Sequence, residues 1–92
     1  MFIKLHRIQK TNDRYYLSEI VINTIHISFL SENREYKMAL TEGKMDIELS
    51  KHADFSDVFI NKAGKQEVIT VIGNIGFVES KINKSRKQLL RG

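Results

Sequence analysis

Apolar and polar residues alternate along the chain as far as Gly73, the period expected of half-buried β-strands. The segment FIKLHRI alternates around Ile3 and Leu5 and is followed by Thr11, Asn12 and Asp13, whose side chains favour turns. The sequence therefore predicts a strand at FIKLHRI followed by a turn at residues 11–13.

Two hairpins are predicted further along the chain. Tyr36, Met38 and Leu40 alternate before TEGK, and alternation resumes from residue 45 to residue 49, which predicts a hairpin turning near Gly43. The segments VFIN and QEVITVIG flank a second turn at residues 63–64. Each hairpin would supply two antiparallel strands.

Two segments leave alternatives open. Ile20 and Ile22 lie at even positions, whereas Ile25 and Ile27 lie at odd positions. The apolar positions therefore change from one side of a strand to the other near residues 23–24, which indicates a bulge, a bend or two separate elements. Residues 50–57 fit either a short helix capped by a serine or a loop.

The period changes after Gly73, where apolar residues recur every three or four positions. Ile75, Val78, Ile82 and Leu89 then share one face of a helix, and Asn74 is a suitable N-cap. We expect this helix to dock on the sheet through Val78 and Ile82.

These patterns predict an α+β fold: a small antiparallel, curved or barrel-like β-sheet of four to six strands with a C-terminal α-helix. With 92 residues the chain is too short to bury a second core, so residues 1–92 form a single domain. Residues 1–73 would be β-rich, and residues 74–92 would form the basic helix.

The positive charge of the chain is concentrated at its C-terminal end. The net charge is +4, yet residues 1–80 are close to neutral and every acidic residue lies among them. The candidate partner-binding residues are therefore Lys81, Lys84, Arg86, Lys87, Leu89, Leu90 and Arg91. Basic residues near a helix C-terminus also interact favourably with the helix dipole, which is a purely structural explanation of the same pattern.

The sequence carries no recognisable catalytic or metal-binding motif, and we expect a non-enzymatic protein without a cofactor. It has no Cys, and His6, His26 and His52 lack the short spacing of a zinc site. The carboxylate pairs Glu32/Glu35 and Asp54/Asp57 fall in predicted loops, where charged side chains are usually only solvated.

No apolar run approaches the roughly 18 to 20 residues that span a bilayer. Basic residues occur from position 4 onward, unlike the apolar core of a secretion signal. The sequence therefore predicts a cytoplasmic protein that does not bind a membrane.

Several segments resemble the small flagellar FlbD-type proteins and similar short proteins of bacteriophages. The resemblance rests on FIKLHRI, YYLSEIVINTIHIS, LTEGK and EVITVIGNIGFVESKI, and this chain differs by about twenty additional residues between Lys44 and Gln66. It implies a small sheet packed on a C-terminal helix and a regulatory role without catalysis. No functional residue is transferred from that family.

Three functions from different classes remain open. The first is a small regulatory module, for example phage or mobile-element encoded, that acts as an inhibitor or adaptor through a protein partner. The second is a nucleic-acid-binding module whose basic helix contacts phosphates. The third is a structural subunit that self-associates through strand edges or through Leu89 and Leu90. The first is favoured because residues 1–80 lack the broad basic face of a typical nucleic-acid binder.

Overall fold

The computed structural model describes the backbone of residues 1–91 and the side chains of residues 1–85. It confirms the predicted α+β fold, with five antiparallel strands and a C-terminal helix. In chain order the elements are β1 (Phe2–Thr11), β2 (Arg14–Asn23), a short 3-10 helix η1 (Thr24–His26), β3 (Ile27–Glu32), α1 (Arg34–Thr41), β4 (Phe55–Lys62), β5 (Lys65–Ile72) and α2 (Ile75–Arg91).

Two hairpins with two-residue turns form most of the sheet. Asn12 and Asp13 join β1 to β2, and their φ angles are 49° and 66°. Ala63 and Gly64 join β4 to β5, and their φ angles are 52° and 78°. Positive φ at both turn positions is the geometry whose twist matches that of the flanking strands. The predicted turns at residues 11–13 and 63–64 are confirmed.

The sheet is strongly curved because its two edge strands are consecutive in the chain. The strand order is β2-β1-β5-β4-β3, so β2 and β3 lie at opposite edges, yet only η1 connects them. Five flat strands would place these edges about 19 Å apart, whereas the four steps from Asn23 to Ile27 reach about 14 Å at full extension. The parity switch in the sequence thus marks two elements joined by a tight corner.

The larger core cluster lies on the inner face of this curve. It receives side chains from all five strands and from α2, whose Val78 is fully buried and whose Ile82 packs partly buried beside it. We call it the inner core, and its buried members are Ile3, Leu5, Ile22, Val58, Ile69, Val71 and Val78. The predicted docking of α2 through Val78 and Ile82 is confirmed.

A second cluster, the outer core, lies on the opposite face of the sheet. Ile8 of β1, Tyr15 of β2 and Phe55 of β4 are buried there under Leu40 of α1. Residues 44–54 complete the cover with Met45, Ile47 and Leu49. The sheet therefore has a helix on each face.

The predicted hairpin around Gly43 is wrong, because its first strand is helix α1. Asn33 caps this helix by accepting a hydrogen bond from the Tyr36 N–H at 3.0 Å. Gly43 (φ 73°) ends it, since the N–H of Lys44 bonds the Ala39 carbonyl at 2.8 Å and that of Gly43 bonds Leu40 at 3.1 Å. This pair of bonds is a Schellman motif, a helix C-terminus and not a hairpin turn.

Residues 44–54 form no strand and no helix, which excludes the second strand of that hairpin. Of the two interpretations of residues 50–57, the loop is confirmed for residues 50–54, and β4 begins at Phe55.

Candidate interaction surface

Three hydrophobic side chains are exposed at the end of the molecule where β1 begins and β2 ends. Phe2 is 66% exposed, Val21 58% and Ile25 71%. Phe2 and Asn23 are paired in the β1–β2 ladder, and the Thr24 N–H donates to the Met1 carbonyl at 2.9 Å, which holds η1 and Ile25 against the first residues. Side chains of this size usually lie in a core, so Phe2, Val21 and Ile25 form an exposed apolar group at this end of the molecule.

Lysines from two elements surround Phe2. Lys4 lies two residues along β1, pairs with Val21 across the ladder and forms an ion pair of 3.3 Å with Glu19. Lys81 reaches from α2 and donates from Nζ to the Lys4 carbonyl at 2.9 Å, with its ammonium 5.2 Å from the Phe77 ring. We call Phe2, Val21 and Ile25, with Lys4, Lys81 and Lys84, the Phe2 surface.

Two open clefts meet at Phe2. A basic cleft of about 310 Å³ lies between β1 and α2 and is lined by Phe2, Ile3, Lys4, Lys81, Lys84 and Ser85. An isoleucine cleft of about 350 Å³ lies between the β1–β2 hairpin and β4–β5; its walls include Ile20, Ile22, Ile60 and Ile69, and His26 and Lys62 also line it. The apolar walls of the isoleucine cleft thus adjoin the lysines of the basic cleft at Phe2.

The predicted partner-binding residues are only partly covered by the described structure. Lys81 and Lys84 lie in the basic cleft. The side chains of Arg86, Lys87, Leu89, Leu90 and Arg91 lie outside the described residues, although α2 extends to Arg91. The binding role of all seven stays a prediction.

A third cleft, of about 290 Å³, lies where the N-terminal ends of α1 and α2 approach each other. Its polar groups have partners within the protein. Lys37 Nζ contacts Asp54 Oδ1 at 3.2 Å and the Ala53 carbonyl at 2.7 Å, and Asn74 Oδ1 caps α2 through the Phe77 N–H at 2.7 Å. We therefore regard this cleft as structural.

The other residues considered for chemistry are dispersed. His6 is on β1, His26 in η1 and His52 in the loop before β4, and within the described residues no three His, Asp or Glu side chains are grouped to hold a metal ion. Asp54 pairs with Lys37, whereas Asp57 lies in β4 and accepts hydrogen bonds from Asn33 and Thr70. Those two carboxylates thus have different, structural partners.

The candidate residues predicted from the sequence include Lys81 and Lys84 of this surface but neither Lys4 nor its hydrophobic residues. Phe2 and Val21 alternate with polar neighbours as core residues do, and Ile25 belongs to an apolar run. Alternation assigns a residue to one face of a strand but does not show whether another element covers it, so the exposure of Phe2, Val21 and Ile25 is seen only in the tertiary arrangement. The one available signal was Phe2 itself, a large residue at the start of an edge hairpin.

No protein family matches this chain, and neither a curated protein nor a solved structure does. The resemblance to FlbD-type proteins therefore stays a prediction. Among the described residues no helix is both long and apolar enough to cross a membrane.

Proposed function

We propose that the protein is a small, non-enzymatic regulatory module that binds a partner protein through the Phe2 surface. The observation that carries this proposal is the joint exposure of Phe2, Val21 and Ile25 beside lysines from β1 and α2. Hydrophobic anchors rimmed by charge are the usual composition of a protein–protein contact.

The charges of the site define the partner segment. Lys4, Lys81 and Lys84 line the basic cleft, and Lys62 lines the neighbouring isoleucine cleft. Only Glu19, through its ion pair with Lys4, brings a negative charge to this group among the described ion pairs. The complementary partner is a protein segment with acidic side chains around one or two bulky apolar residues.

The inhibitor or adaptor role and the phage or mobile-element origin belong to the same proposal. In this role the protein would regulate by occupying a surface on its partner. Phe2 and Ile25 would supply the buried anchors, and the lysines would orient the encounter.

The test uses charge insertion at matched exposed positions. The wild-type chain, Phe2→Asp/Ile25→Asp and Phe29→Asp are used to capture proteins from a lysate of the natural source, and the captured protein is then purified and titrated. Phe29 is a suitable control because it is also half exposed but lies on β3, stacked on Phe59 at 4.0 Å.

We expect the double variant to lose the partner by at least about tenfold in affinity, and Phe29→Asp to retain it. All three chains should stay folded because the replaced side chains lie outside both cores. Equal binding by the double variant and the wild type would contradict the proposal.

Nucleic acid is the second candidate partner. The exposed ring of Phe2 lies beside three lysines, so it could stack on a base while the phosphates bind the ammonium groups. Labelled single- and double-stranded oligonucleotides distinguish it. Binding that falls steeply with salt and weakens with Lys81→Ala and Lys84→Ala would favour nucleic acid over a protein partner.

A further inference from the structure

Strand β2 has an unpaired edge that is long and poorly protected. It is an outer strand of the sheet, has ten residues and contains no Pro. The opposite edge strand, β3, has only six residues and a register irregularity between Ile27 and Phe29. Short, bulged edges resist pairing with other chains, whereas long regular ones favour it.

The hairpin register shows which backbone groups of β2 point outward. In a two-residue turn the flanking pair, Thr11 and Arg14, is hydrogen-bonded, and such pairs alternate with non-bonded ones along the ladder. The N–H and C=O groups of Tyr15, Leu17, Glu19 and Val21 therefore point away from β1. Consistent with this direction, the Tyr15 N–H donates to Asp46 Oδ1 at 3.3 Å instead of to β1.

Asp46 occupies the edge at Tyr15, and no described strand pairs with the outward side of residues 17–23. If two copies pair antiparallel over this part about a two-fold axis, Ile20 lies at the centre of the pairing. Glu19 then lies opposite Val21 of the second copy, and Leu17 lies opposite Asn23. The centred register keeps the two Glu19 carboxylates out of direct opposition, where like charges destabilise a sheet.

Charges also favour a second copy as the occupant of this edge. Lys4 is paired with Val21 within one chain. Glu19 of one copy therefore points across Val21 of the other toward that copy's Lys4. Each carboxylate is then flanked by Lys4 of its own chain and, one strand beyond Val21, by Lys4 of the second copy.

We propose that the protein forms a symmetric dimer by antiparallel β2–β2 pairing centred on Ile20, giving a continuous sheet across both copies. Phe2 is paired with Asn23, so Leu17 of the second copy comes beside the Phe2 surface and enlarges its apolar area. This inference does not depend on the proposed function, although Val21 belongs both to the Phe2 surface and to the proposed pairing.

The test is sedimentation equilibrium of the full chain from about 10 µM to about 1 mM. Glu19→Pro removes the outward N–H without removing a bond to β1, and Glu19→Ala removes the same charge while keeping that N–H. We expect dimerisation of the wild type, a change of about threefold or less for Glu19→Ala and a loss of at least about tenfold for Glu19→Pro.

The register is tested at Val21, which is exposed and faces Glu19 of the second copy in the proposed pairing. Val21→Glu should weaken the dimer by at least about tenfold, whereas Val21→Lys should preserve it, because opposite charges on facing strands attract. The two Val21 variants also test the proposed dimer if Glu19→Pro does not fold. A wild-type chain that stays monomeric at about 1 mM, or a dimer indifferent to the charge at position 21, would overturn the inference.

Discussion

Asn33 shows how a single side chain fixes two elements. Its Oδ1 caps α1 through the Tyr36 N–H, and its Nδ2 donates to Asp57 Oδ1 at 3.0 Å. Asp57 also accepts from the Thr70 hydroxyl at 2.7 Å, so the start of α1 is tied to both β4 and β5. The position of the outer core therefore depends on a small polar group.

Replacing Asn33 should separate these two roles. Asn33→Ala removes both bonds, and we expect it to lower the free energy of unfolding by about 2 kcal/mol. Asn33→Ser retains a capping oxygen and should cost about half as much. Urea unfolding of the three chains measures both values, and equal losses for Ala and Ser would show that the cap contributes nothing.

Tyr36 links the outer core to pH. Burial raises the pKa of Tyr36 above its ordinary value, and the charges of Tyr15, Glu35 and Asp57 raise it further. Because the pKa is higher in the folded state, the stabilising effect is complete below the ordinary tyrosine pKa of about 10 and is lost as pH rises through the folded value. We expect stability to fall above about pH 10.

The control for this pH dependence is Tyr36→Phe, which keeps the ring between Tyr15 and Phe55. Its unfolding free energy should decline less over the same pH range. Identical alkaline profiles of the two chains would assign the decline to other groups.

At the scale of elements, α2 is held by a narrow stripe of side chains. Val78 is completely buried in the inner core, and Ile82 follows one turn later with partial exposure. Val78→Ala should therefore cost about 2 to 3 kcal/mol of unfolding free energy, and Ile82→Ala less. Lys84→Ala is the control on the same helix and should stay within about 0.5 kcal/mol. If Val78→Ala left the denaturation midpoint unchanged, docking of α2 would not contribute to stability.

The sequence predicted α2 and the β4–β5 hairpin because both have strong local signals: an unbroken helical period after Gly73 and a glycine turn between two apolar runs. It failed at α1 because Tyr36 and Leu40 satisfy a two-residue and a four-residue spacing equally well over so short a segment. Met38 distinguishes the two, since it would be inward on a strand but is exposed on the helix. Asn33 and Gly43, at the two ends, were the helical signals that alternation concealed.

At the scale of the whole molecule, the two hydrophobic cores and the Phe2 surface occupy different parts of the curved sheet. The inner core joins all five strands to α2, and the outer core fixes α1 and residues 44–54 at one end. The Phe2 surface lies at the start of β1, where β2 turns into η1 and α2 passes alongside. Under the proposed function, substitutions at this exposed end would change what the protein binds without altering either core.

The last prediction concerns the chain shortened to residues 1–85, which removes Arg86, Lys87 and Arg91 together with Leu89 and Leu90. Val78 and Ile82 remain, so we expect the shortened chain to fold with a similar thermal midpoint.

If the partner is nucleic acid, its binding should become weaker and less dependent on salt, because fewer counterions are released. If the partner is a protein that binds the Phe2 surface, the shortened chain should still respond to Phe2→Asp, and its remaining affinity should depend little on salt. Circular dichroism and salt titrations measure these outcomes, and failure of residues 1–85 to fold would make the basic end primarily structural.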